Sequence, residues 1–266
     1  MLGLGSGLTG GVPVSKFTNY SGSFDGTADF VKINEAAALK PTAALSVSFW
    51  AKPNTWDPTS GSDTDVFFGC LYSGGWLVKL INSSGNATTI GGMVSVANNG
   101  TTSPGYLEPN VNETTTEALT GWNHIVMTYD GTTVKLYVNG GTTGVTNAAH
   151  GVGSTQAINY HASNSTPIML GADASNDTDG ADFYHGLLDD VAVFNDDLSA
   201  AEVTAIYNNG APFDLTENKG DYVSSGDLIG YWLFEEGTGT SVADSSTNSN
   251  AGGEGDAWSW STDTPG

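Results

Sequence analysis

The chain has 266 residues and a formal net charge of −22, and its seven cations are all lysines. Nucleic-acid binding requires clustered cations that neutralise phosphate, so this balance excludes nucleic acid as a partner, and an anionic membrane would repel the chain in the same way. Cys70 is the single cysteine, so no intrachain disulfide can form and the core has to be closed by burial alone.

The opening Met1-Leu2-Gly3-Leu4-Gly5-Ser6-Gly7 has neither a basic start nor a sustained apolar run, so no secretory signal is expected in it. No stretch reaches the roughly 18 apolar residues of a membrane helix, and membrane insertion is not expected. Residues 1–16 read as a Gly-rich arm without a core-forming period, the kind of segment that is disordered alone and can order against a partner subunit.

Strand-like alternation begins at Phe17. Ser23-Phe24-Asp25-Gly26 is followed by Asp29 to Ile33, where Val31 and Ile33 share a face, and Leu45, Val47 and Phe49 share one side of the next strand. Val66 to Leu71 and Trp76 to Ile81 form two more strands around a Ser73-Gly74-Gly75 turn, and Met93 to Val96 continues the series. Cys70 sits in this apolar run and reads as a buried thiol. The polar stretch from Asn98 to Thr120, with Pro104 and Pro109, predicts a long surface loop. Trp122 to Tyr129, Asp130-Gly131, Val134 to Val138 and Asn139-Gly140 predict a hairpin and a second tight turn, because Asp-Gly and Asn-Gly supply the positive φ such turns need.

Pro167 to Gly171 predicts a strand leading into an acidic loop, and Phe183 to Phe194 a further strand. Ser199 and Glu202 have capping-box spacing ahead of Val203, Ile206 and Tyr207, with Asn209-Gly210 as the stop: one short helix. Leu228 to Phe234 is a buried-strand candidate, and residues 253–266 read as a loosely structured tail. Many short strands, turn residues at their ends and one helix predict an all-β fold of two antiparallel sheets packed as a sandwich. Residues 17–252 form its body.

No catalytic constellation is legible. Asp189-Asp190 and Glu235-Glu236 are adjacent pairs that a regular strand points to opposite faces, so neither forms a working dyad. His124, His150, His161 and His185 lack metal-binding or triad spacing, and His124 alternates with Trp122 and Val126 as a packed sheet residue does. Asp173, Asp177, Asp179 and Asp182 crowd one loop, a composition suited to a hard cation such as calcium, although the EF-hand spacing fails. The parity of Asp189 puts it on a face with Leu187, Val191 and Val193, so burial is expected, and a buried carboxylate must be hydrogen-bonded, paired or metal-bound. For a sugar ligand the rings to consider are Trp56, Trp76, Tyr106, Tyr160, Trp258 and Trp260, with Trp56 and Tyr106 in loops rich in Pro, Gly and Asp.

The order of these pieces resembles the laminin-G-like domains of the concanavalin-A-like lectin and glucanase group. The residues that carry the resemblance are Phe24-Asp25-Gly26 with Asp29-Phe30-Val31, Leu45 to Trp50, Trp122-Asn123-His124 through Tyr129-Asp130-Gly131, Leu136 to Gly140, Gly186 to Val191, and Leu198 to Glu202. The resemblance covers most of residues 20 to 210 and implies a jelly-roll sandwich. It also implies that Asp25, Asp29, Asp189 and Asp190 are candidate ligands of a structural calcium; the competing role for Asp189 is to cap backbone amides. The Glu-x-Asp-x-x-Glu motif of the glucanases of this fold is missing, so no enzymatic activity is expected and a glycoside hydrolase has the least support. One departure concerns Gly230 to Thr240 with Asp244-Ser245-Ser246, which is similar to the strand that opens such domains. Its place here suggests a permuted strand at 228–236, the rival being a truncated second domain.

This order, with the Gly-rich start, resembles laminin-G-like virion proteins of marine bacteriophages. The resemblance implies a structural protein of the virion surface, in capsid decoration or a tail fibre, that contacts other virion proteins through its N-terminal arm within a homo-oligomeric or symmetric assembly. The alternative is a calcium-assisted lectin module that takes a host-surface polysaccharide, with Trp56, Tyr106 and Trp76 as ligand-binding rings.

Overall fold

The computed structural model describes residues 19–54, 64–70, 74–83, 87–96, 105–107, 110–112, 121–142, 147–148, 157–160, 167–174, 180–253, 255 and 258–266. In chain order the strands are β1 (Ser21–Asp25), β2 (Val31–Ile33), β3 (Leu45–Pro53), β4 (Thr64–Gly69), β5 (Trp76–Ser83), β6 (Ala87–Val96), β7 (Gly105–Leu107), β8 (Asn110–Asn112), β9 (Asn123–Tyr129) and β10 (Thr133–Val138). They continue as β11 (Gly141–Thr142), β12 (Asn147–Ala148), β13 (Ile168–Leu170), β14 (Asp173–Ala174), β15 (Gly180–Ala181) and β16 (His185–Phe194). The helix α1 (Ala200–Tyr207) precedes β17 (Leu228–Trp232), β18 (Gly252–Gly253) and β19 (Ser259–Ser261).

Among the described residues the strands form two large antiparallel sheets. One runs β11-β10-β9-β3-β16-β1-β19, with β12 on β10 and β17 on β16; the other runs β18-β2-β13-β4-β5-β6-β7, with β8 on β6. The alternation read from the sequence explains the packing between them. Val31, Ile33, Leu45, Val47, Phe49, Phe68, Val78, Ile125, Met127, Leu136 and Leu170 point inward and form one buried cluster. The fold is the all-β jelly-roll sandwich with a single short helix among the described residues. No described helix is long and apolar enough to cross a membrane.

Part of the first sheet is buried on both faces. Val126, Tyr137, Ala192 and Phe194 point away from the second sheet, into a separate cluster with Val203 and Ile206 of α1 and with Phe213, Tyr222 and Tyr231. The helix and residues 211–227 therefore act as a third layer over this end. The capping box is made: Glu202 N donates to Ser199 Oγ (3.3 Å) and Ser199 N donates to Glu202 Oε2 (2.9 Å). Asn208 and Asn209 end the helix in the left-handed region, one residue before the expected stop at Asn209-Gly210. The Asn139-Gly140 turn has φ of 52° and 74°, as a tight hairpin turn requires.

Three expectations are corrected. Within the stretch from Asn98 to Thr120, β7 and β8 pair with β6, so the described part of that stretch is sheet edge, where backbone pairing substitutes for apolar side chains. Residues 258–261 are anchored: β19 pairs with β1, and Trp258 is buried against Phe24 and Phe234. The third correction is the parity of β16. Asp189 stands opposite Trp50 and Ala192 opposite Ser48, so Asp190 and Val191 share the place opposite Phe49 in a β-bulge, with Asp190 at φ 48°. The bulge turns Leu188, Val191 and Val193 inward together and leaves Asp189 on the outward face with Trp50. Downstream of the bulge, β17 lies against β16 in the sandwich itself (Val191 opposite Trp232), on the edge that β1 occupies upstream.

Candidate functional site

The carboxylates expected to hold calcium each accept hydrogen bonds from within the protein. Asp25 Oδ1 accepts from Thr27 N (2.8 Å) and Ala28 N (3.3 Å), and Asp29 Oδ2 accepts from Asp25 N (3.0 Å), which closes the loop after β1. Asp189 Oδ1 accepts from Asp190 N (3.0 Å), and Asp190 Oδ1 lies 3.0 Å from the Tyr231 hydroxyl. Burial pushes the Asp189 carboxyl well above the usual carboxylate range, and the charge of Asp190 adds to this. Among the described residues no three His, Cys, Asp or Glu side chains gather as a metal-binding group. Asp173 lies on β14, half-buried, while Asp177 and Asp179 fall outside the described residues.

The aromatic candidates separate by burial. Trp76 is fully buried and packs edge-on against Phe68, so it has no ring face to offer a ligand. Trp56 lies outside the described residues, and of Tyr106 only its backbone place on β7 is described. Trp258 is core. Tyr160 is half-buried, with its hydroxyl donating to the Pro41 carbonyl (2.9 Å), and Trp260 is half-buried against Tyr20 and Phe234.

The open half of the outward face of the first sheet brings together residues that sequence reasoning did not assemble. Ser259, Ser23, Leu187 and Lys52 stand opposite one another across β19, β1, β16 and β3, all half-buried or exposed. His185 lies at the next outward position of β16, paired with Asp25, and Asn54 Nδ2 donates to its Nε2 (2.6 Å). Trp122, at the mouth of β9, is half-buried, and its Nε1 donates to Asp263 Oδ1 (2.9 Å). The other oxygen of that carboxylate accepts from Lys52 Nζ. These contacts hold the Asp263 carboxyl below its usual range, the Lys52 bond being the largest cause, with burial opposing and Trp122 assisting. Trp122 shares parity with His124, which the sequence does show; its partner from residues 262–266 is visible only in three dimensions.

The covered half is chemically closed. His124 shares a 2.8 Å hydrogen bond with Ser48 Oγ, but both are buried beneath Trp50 and Tyr207, and burial pulls the imidazole down to about 3. A neutral, roofed imidazole has no access to substrate, so this Ser–His pair packs the face and does not act as a nucleophile and its base.

A family model described as the concanavalin A-like lectin/glucanases superfamily, Laminin_G_3, matches residues 25–204. The chain belongs to this family. Its fold is similar to a candidate carbohydrate binding protein from Bacteroides ovatus at TM-score 0.61 and 14% identity, covering 94% of this chain and 61% of that one. It is also similar to a heptameric SAP-like pentraxin from Limulus polyphemus at TM-score 0.52 and 16% identity, covering 88% and 94%. The chain thus spans about three-fifths of the length of the first of these proteins. No curated protein matches it.

Proposed function

We propose that this laminin-G-like domain is a non-enzymatic carbohydrate-binding module whose ligand rests on the open half of the outward face, at Trp122. One observation carries the reading: the same sheet face is sealed by α1 and residues 211–227 at one end and left open at the other, where the Trp122 indole and Lys52 share the Asp263 carboxylate. A flat apolar ring with a lysine and a carboxylate at its edge suits the apolar face of a sugar and its hydroxyls. The description of the Bacteroides ovatus relative is consistent with this ligand class. Nothing on the open face pairs a nucleophile with a base among the described residues, which supports binding over turnover.

A glycan array probed with the full chain should give positives that Trp122→Ala weakens at least tenfold, about 1.4 kcal/mol. The variant should still melt within a few degrees of the wild type. A blank array, or release of reducing sugar by the purified protein, would sink the reading. As its setting we propose a virion surface, with residues 1–16 docking to other virion proteins. This rests on the order of the sequence segments, and loss of virion incorporation on deletion of residues 1–15 is its test.

A further inference from the structure

Lys52 on β3 and Trp122 just before β9 converge on a single carboxylate. Lys52 Nζ meets Asp263 Oδ2, and Trp122 Nε1 donates to Asp263 Oδ1 at 2.9 Å, so the two oxygens are taken one each, with the geometry of a carboxylate receptor. The acid that fills it is no part of a strand. Asp263 lies two residues beyond β19, held by Ser21 Oγ donating to its carbonyl (2.8 Å) and by its own N–H donating to Ser261 Oγ (3.0 Å). Lys52 and Asp263 keep side-chain exposures of 36% and 47%, so the pair stands where an external molecule can reach it. In a chain with seven cations and a net charge of −22, one of the few lysines is committed to this spot beside the half-buried row of Ser23 and Leu187.

We propose that Lys52 and Trp122 Nε1 form a carboxylate-recognition site which Asp263 occupies in the resting protein, and that a sugar bearing one carboxylate displaces Asp263 to bind there. This rests on the reading of the open face as a glycan surface and narrows the ligand class to uronate-type sugars. A polyanion is disfavoured, because the net charge of −22 repels it at long range while a single lysine attracts it only locally. An isolated carboxylate on an otherwise neutral glycan meets the attraction with little of the repulsion. Asp263 then acts as an internal competitor that keeps weaker acids out.

The test uses the full chain with Asp263→Ala and follows the Trp122 indole N–H by nuclear magnetic resonance, with sodium glucuronate and glucose as probes. Because the ion pair is exposed, its loss should leave folding intact, and thermal melting checks this. The expected result is saturable binding of glucuronate to the variant, at least tenfold tighter than to the wild type, with no comparable response to glucose. Adding Lys52→Ala should reduce that binding at least tenfold. Equal responses to the two sugars, equal glucuronate binding by wild type and Asp263→Ala, or indifference to Lys52→Ala would each overturn the inference. A positive glycan array beside a failed titration removes the carboxylate site alone; a blank array beside a failed titration removes the glycan reading with it.

Discussion

Glu202 is the residue whose removal should unfasten the third layer from the sandwich. Its side chain is buried, Oε2 accepts from Ser199 N and Ser199 Oγ (2.9 Å each), and Oε1 accepts from Ser224 Oγ (2.5 Å) and Val223 N (3.3 Å). One carboxylate thus joins the start of α1 to the chain 22 residues later. Glu202→Ala loses an N-terminal cap, about 1 kcal/mol, and strands donors around Ser224 away from water, about 2 kcal/mol more. With an unfolding entropy near 2.1 cal/mol/K per residue, a loss of roughly 3 kcal/mol lowers the melting temperature of a 266-residue chain by about 5 °C. Glu202→Gln should cost nearly as much, because its NH2 group would face N–H and O–H donors. The acid dependence carries a definite sign. Burial raises the Glu202 carboxyl, but the bonds from Ser224, Ser199 and Val223 outweigh it and the net shift is downward. Its contribution is therefore complete above the unfolded value near 4.3 and fades as pH falls through the lower folded value. Calorimetry from pH 7 to pH 3 should show wild type and Glu202→Gln converging only below about pH 4. A Glu202→Gln variant that melts with the wild type at pH 7 would refute the account.

Two further outcomes follow from buried positions. Asp189 is held protonatable by burial and by Asp190, so its raised folded value makes stability fall as pH rises from the unfolded value toward the folded one. Asp189→Asn keeps an acceptor for Asp190 N and removes the charge. It should stabilise the protein at pH 7 by ~1 kcal/mol, about 2 °C, equally in calcium and in chelator; a loss of stability seen only in calcium would restore an ion at this site. Gly171 has φ 86°, and a Cβ there would lie 2.3 Å from Phe24 Cδ1. Gly171→Ala should therefore cost about 2–3 kcal/mol, read as a lower denaturant midpoint at unchanged slope, and an unmoved midpoint would show that the Phe24 ring yields freely.

The lectin-type sandwich and its interior were legible in the residues because burial imposes a period of two. Leu45, Val47 and Phe49 could face the core only together, and Ser199 with Glu202 announced the helix through local hydrogen bonds. Three features were decided by tertiary structure. Period-two reasoning fails where a strand takes an extra residue, as at Asp190, because a bulge leaves no mark in hydrophobicity. The anchoring of 258–261 came from aromatic packing and an edge pairing with β1, more than 230 positions away in sequence, which no local pattern encodes. The proposed binding face was hidden for the same reason. Trp122, Lys52 and Asp263 are each unremarkable where they stand in the chain, and only the closure of the sheet sets them against one another.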